Sequence, residues 1–209
     1  MARKRYGRTV GKMILGLVLA IIAYLGLQYS AMLNDMDLAA SQYSQGDSEG
    51  ALNTYKKVES RIRSHSALRI IPTHDRQDLF LNEARLLYAM EKYDEAAETL
   101  EKEVEITGTT TDGRFHLLRG EIGFRKAVVN YRESKTKDVA ILEENLLAAE
   151  DSLRESLRLS PNDWDAKFNF EFVNAVRKAL EGGEGDEEIK LLEEEEKPQT
   201  KELPPELAG

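Results

Sequence analysis

The chain has 209 residues, a formal charge of −9 and no cysteine, which excludes disulfides, thiol catalysis and cysteine-based zinc sites. The charge is unevenly placed: residues 1–12 carry five basic side chains (Arg3, Lys4, Arg5, Arg8, Lys12) and no acid, Leu38–Leu180 balances 21 basic against 25 acidic residues, and from Glu181 onward eleven acids meet three lysines. A negative chain with a near-neutral centre repels a polyanion, so nucleic acid is not an expected partner.

The first element in chain order is an apolar run. Met13–Leu27 reads MILGLVLAIIAYLGL without a charge, and the low-charge stretch continues to Leu33. At a rise of about 1.5 Å per residue, residues 13–33 cross a hydrocarbon core of roughly 30 Å. Lys12 can snorkel at one end, and Tyr24 and Tyr29 suit the interface at the other. A cleaved signal peptide shares the basic start and apolar centre, but the candidate cleavage sites before Met32 place Tyr29 where a small residue is wanted. A buried core helix would not normally follow five basic residues. The basic cluster before the span, with Asp35 and Asp37 after it, predicts a cytoplasmic N-terminus and a soluble part outside the cytoplasm. That location is the periplasm in a two-membrane bacterium.

Between Leu38 and Leu180 the apolar residues follow helical spacing and no window alternates as a strand does. Two stretches repeat one another: Gln42-Tyr43-Ser44-Gln45-Gly46-Asp47-Ser48-Glu49-Gly50-Ala51 and Leu87-Tyr88-Ala89-Met90-Glu91-Lys92-Tyr93-Asp94-Glu95-Ala96. Each sets an aromatic residue eight positions before an alanine, with a short polar turn between. The pattern resembles the tetratricopeptide repeat: a helix, a Gly-Asp or Tyr turn, a small residue, and a second helix closed by proline. The resemblance implies an all-α stack of antiparallel helical hairpins over residues 35–180 behind a single transmembrane helix. A first repeat covers about 35–64, with Ala39 as the small residue of its first helix and Ala51, Tyr55 and Val58 in its second. A second repeat covers about 77–107, with Ala84, Tyr93, Ala96 and Leu100 at matching places.

A third repeat is expected at 114–161, with Gly120 as the small residue, Phe124 where Tyr43 and Tyr88 fell, and an insertion at Ser134–Asp138 before its second helix. Pro161 ends that helix, and Asn162 or Asp163 can cap the next, 162–180, which seals the stack. The first two repeats depart from the family in lacking the closing proline, and Glu103 stands where a small residue is usual. Linkers are expected at Arg69–Asp75 and Thr107–Gly113, where Pro, Gly and Thr disfavour helix. From residue 181 the Gly-, Glu- and Pro-rich composition predicts an acidic disordered tail, with a short helix at 187–196 offering Ile189, Leu191 and Leu192 as an apolar spot. It serves as a solubilising tail or as acidic bait for a basic surface.

Catalytic motifs are missing: there is no Gly-x-Ser-x-Gly, phosphate-cradling glycine loop or His-Glu-x-x-His. His65, His74 and His116 show no i, i+4 histidine or carboxylate partner in this reading, so no metal, cofactor or enzyme activity is expected. The repeat resemblance instead implies a concave groove lined by Tyr43, Leu81, Arg85, Tyr88, Leu117, Glu121, Phe124 and Arg125, a protein-binding strip of aromatic and cationic groups. The competing assignment of its aromatics is inter-repeat core. A narrower resemblance lies at Leu157-Arg-Leu-Ser-Pro-Asn-Asp-Trp-Asp-Ala-Lys-Phe-Asn-Phe-Glu171. It is similar to the end of membrane-anchored tetratricopeptide proteins encoded beside MoxR-type ATPases and von Willebrand factor A proteins, and implies an assembly or maturation role at the cell envelope. The expectation is a membrane-anchored interaction scaffold with protein partners and the lipid bilayer around 13–33. The alternative is an accessory subunit assembled through the transmembrane helix itself.

Overall fold

The computed structural model describes residues 3–64, 71–107 and 111–182. Those residues form seven α-helices and no strand: α1 (Arg3–Ser44), α2 (Ser48–Ser64), α3 (Thr73–Ala89), α4 (Tyr93–Thr107), α5 (Gly113–Glu133), α6 (Val139–Leu159) and α7 (Trp164–Glu181). Residues 69–70 and 108–110 of the expected linkers, His65, the tail from residue 183 and the short helix expected at 187–196 lie outside the described residues, while Thr73–Asp75 of the first expected linker already form the first turn of α3. The chain divides into two compact units, 1–71 and 72–209, each described by itself.

In the first unit α1 is one unbroken helix of 42 residues, about 63 Å long. Between Leu27 and Asp35 the sequence offers no proline or glycine to stop it, so the apolar run passes directly into the hairpin. Its surroundings change along that length. From Val10 to Gln28 every residue except half-buried Leu25 is exposed, whereas Tyr29 is half-buried and Met32 is 3% exposed. The expected segment 13–33 therefore crosses two environments, and the uncovered stretch is 10–28. Met32 and Ala39, seven residues apart, share the buried face, and Asp35 beside them pairs with Arg61 of α2 at 2.8 Å.

The turn between α1 and α2 is a glycine-closed one. The Gly46 backbone sits at φ +86°, the Asp47 N–H donates to the Gln42 carbonyl, and the Gly46 N–H donates to that of Tyr43. Asp47 then caps α2 by accepting from the Gly50 N–H at 2.9 Å. Ala51, Leu52, Tyr55, Val58 and Ile62 fill the α2 side.

In the second unit α3 packs on α4, α5 on α6, and α6 on α7, while α5 also touches α3, α4 and α7. This central position explains its sequence. Phe115, Leu118, Ile122, Phe124, Ala127 and Val128 are buried around much of its girth, a pattern that suits a helix covered on several sides. The turn from α3 to α4 repeats the first one, with Glu91 at φ +60° in the place of Gly46 and the Lys92 N–H donating to the Leu87 carbonyl. Helices α5 and α6 are each 21 residues long, against 17 and 15 for α3 and α4. The extra length of the third hairpin thus lies in its helices, and Ser134–Asp138 is the turn between them. Gly120 allows the close approach of α5 to α6: a Cβ there would lie 2.5 Å from Leu153 Cγ and 3.2 Å from the Ala149 carbonyl oxygen.

Aspartates start the later helices. Asp112 caps α5, Asp138 caps α6, and Asp163, rather than Asn162, caps α7. A buried ion cluster ties the last two helices: Glu150, 3% exposed, accepts from Arg154 at 2.6 Å and from Arg177 of α7 at 2.9 Å. Apolar residues of α5, α6 and α7 share one core, among them Phe124, Leu142, Leu146, Leu153, Val173, Val176 and Leu180.

Candidate protein-binding surface

Three helices of the second unit bring polar side chains to one place. Arg85 and Tyr88, three residues apart, come from the last turns of α3. Glu121 and Arg125 stand one turn apart on α5, and Asp165 and Asn169 one turn apart on α7. The Arg125 Nε donates to the Tyr88 Oη at 3.4 Å, a long bond, and the Asn169 Nδ2 donates to the Glu121 Oε1 at 2.7 Å. Tyr88 also leans on Tyr93 across the turn, with ring centroids 5.7 Å apart.

The electrostatics follow from partial burial. Burial is the largest influence on the Glu121 carboxyl, and with the Asp165 charge it overcomes Arg85, Asn169 and Arg125 to push the group up to about 7. The Tyr88 phenol is raised by burial first and the Glu121 charge second, against the bond from Arg125. The result is a poorly hydrated array of cations, phenol and carboxyl whose donors and acceptors are held in place before any ligand arrives.

The expected groove residues divide by location. Arg85, Tyr88, Glu121 and Arg125 come together in the array, and Leu117, one turn before Glu121, is half-buried against the shared core. Leu81 is fully buried and Phe124, part of the core shared by α5, α6 and α7, is 7% exposed, so both are core residues rather than the groove residues expected. Tyr43 is half-buried at the end of α1 in the other unit. Sequence reasoning missed Asn169 and Asp165 because α7 was taken as a seal. Their four-residue spacing was the available signal.

One sequence expectation is corrected. His74 does have an i, i+4 carboxylate partner, since its Nδ1 lies 2.8 Å from Asp78 Oδ2. Asp78 in turn accepts from Arg114 at 2.9 Å, and Arg114 also grips its own helix cap, Asp112, at 2.7 Å. Burial alone would raise the Asp112 carboxyl, but its bonds from Arg114 hold it below the usual range. This chain of charges fastens α3 to the start of α5. No group of three or more metal-ligating side chains occurs among the described residues. A separate cleft of about 380 Å³ between α4, α5 and α6 is lined by Ala97, Ile122, Gly123, Ala149 and neighbours and shares no residue with the array.

A family model for the tetratricopeptide repeat matches residues 36–56, the part of the first hairpin that flanks its turn. The match supports the tetratricopeptide repeat family, whose members serve as protein-interaction scaffolds. No curated protein is similar enough in sequence to count as a match. Among the described residues, one helix, over Val10–Ser44, is long and apolar enough to cross a membrane.

Proposed function

We propose that the protein is a membrane-anchored scaffold that holds a protein partner at the Arg85–Tyr88–Glu121–Arg125–Asn169 surface of its second unit. The observation that carries this reading is the convergence of those side chains from three helices into a partly desolvated array. Arginine and tyrosine are the side chains that contribute most strongly to protein interfaces, and here they are positioned in advance. The uncovered apolar stretch from Val10 to Gln28 supports the anchor, and the basic N-terminus supports a cytoplasmic start with the hairpins on the far side. The resemblance at Leu157–Glu171 supports an assembly or maturation role at the cell envelope, in a bacterium.

The test is affinity capture from solubilised membranes with wild type and with Tyr88→Ala/Arg125→Ala. Partners recovered specifically with wild type should be lost with the double variant, while circular dichroism shows the same helix content. An unchanged set of partners with an intact fold would overturn the reading.

A further inference from the structure

We propose that segment 187–196 of this chain docks antiparallel on the outer side of α7 and completes a fourth helical hairpin. The inference stands whether or not the polar array binds a partner. Helix α7 is apolar on two sides. Its inner side (Ala166, Val173, Val176 and Leu180) is buried. Its outer side carries Trp164, Phe168, Phe172, Ala175 and Ala179, spaced four, four, three and four residues apart and so aligned in one stripe. Trp164 is 76% exposed and Phe168 65%. Phe168 stacks on Phe172 with ring centroids 6.4 Å apart, and Phe172 meets the core at Phe124. A helix that ends a stack needs one apolar side, whereas a helix inside a stack needs two.

The next stretch of sequence matches that stripe. Gly182, Gly183 and Gly185 follow the end of α7 and permit a sharp reversal. Asp186 then stands where Asp47, Asp112, Asp138 and Asp163 stand before their helices, with Glu187 and Glu188 in the first turn that would follow. Ile189 and Leu192 are one turn apart, and no proline intervenes before Pro198. Ten helical residues span about 15 Å, the length of the C-terminal half of α7. Ala175 and Ala179 lie in that half, and their small side chains let a second backbone come close. Exposed Lys178, in the last turn of α7, lies where the acids that open the segment would pass.

The absence of native cysteine makes disulfide trapping a direct test. In the full chain reconstituted in lipid nanodiscs, Ala175→Cys with Glu193→Cys should form an intramolecular disulfide at least tenfold faster than Glu98→Cys on α4 with Glu193→Cys. Adding Ile189→Asp and Leu192→Asp should bring the first rate down to that of the control pair. Equal rates for the two pairs would overturn the proposal. So would a rate insensitive to the aspartates, which would mean that tethering alone brings the thiols together. A disulfide-linked dimer as the main product would overturn it in favour of a second copy on the stripe.

Discussion

Gly46 and Glu91 occupy the same place in two turns, both in the left-handed region that glycine tolerates and glutamate does not. Glu91→Gly should therefore stabilise the second unit by about 0.5–1 kcal/mol, and Gly46→Ala should destabilise the first by a similar amount, both read from thermal unfolding. Glu121 is the other residue with a measurable signature. Its carboxyl is held at about 7, above the roughly 4.3 of an unfolded glutamate, chiefly by burial. Between those values the folded chain binds the extra proton, so its contribution is fully present below about 4.3 and is lost as pH rises through 7. Glu121→Gln should match wild-type stability at pH 4 and exceed it at pH 8, as denaturant titrations at the two pH values would show. Four members of the array, Arg85, Tyr88, Glu121 and Arg125, were among the residues that the repeat resemblance implies for a groove. Asn169 was not, because its bond to Glu121 depends on how α7 crosses α5, and no local pattern encodes that angle.

At the scale of elements the helices themselves were readable, since apolar periodicity and aspartate caps mark them. The expected anchor and first hairpin were drawn as separate pieces, yet α1 runs through both. The reason is negative information: no breaker occurs between Leu27 and Asp35, and a long helix needs none. The insertion expected at Ser134–Asp138 is the segment between α5 and α6, which end at Glu133 and begin at Val139, and Lys137 sits over the Tyr131 ring there. The junction of α6 and α7 rests on Glu150, a carboxylate removed from water and held by two guanidinium groups. Arg177→Ala leaves that buried charge with one partner and should cost about 2–3 kcal/mol in urea unfolding. Glu150→Leu removes the charge itself and should cost less than half as much.

For the whole molecule, the proposed membrane anchor would decide location, and residues 10–28 are the exposed apolar stretch that supports it. Leu19→Arg with Ile22→Arg places two charges at the middle of that stretch, at a cost of roughly 2.5–3.5 kcal/mol each. The variant should move from the carbonate-resistant membrane fraction to the soluble fraction, or be degraded. Retention in the membrane would show that another segment anchors the chain. Composition marks an apolar run over residues 13–33, but not the point where its surroundings change, which depends on Met32 being buried against the first hairpin.

The unbroken course of α1 would make the proposed anchor a lever. Sixteen residues separate Gln28 from Ser44, about 24 Å of stiff helix. With residues 10–28 spanning a bilayer as proposed, a tilt of about 20°, the ordinary value for a single span, would move the tip sideways by roughly 8 Å and lower it by less than about 2 Å. Tilt grows as the hydrocarbon layer thins, so the lean of the first hairpin away from the membrane normal would become a readout of lipid thickness. The angle of α1 to the bilayer normal, read by oriented solid-state NMR, should be larger in short-chain lipid than in long-chain lipid. A Gly-Pro-Gly insertion after Gln28 should abolish that response in residues 29–44 by giving the lever a joint.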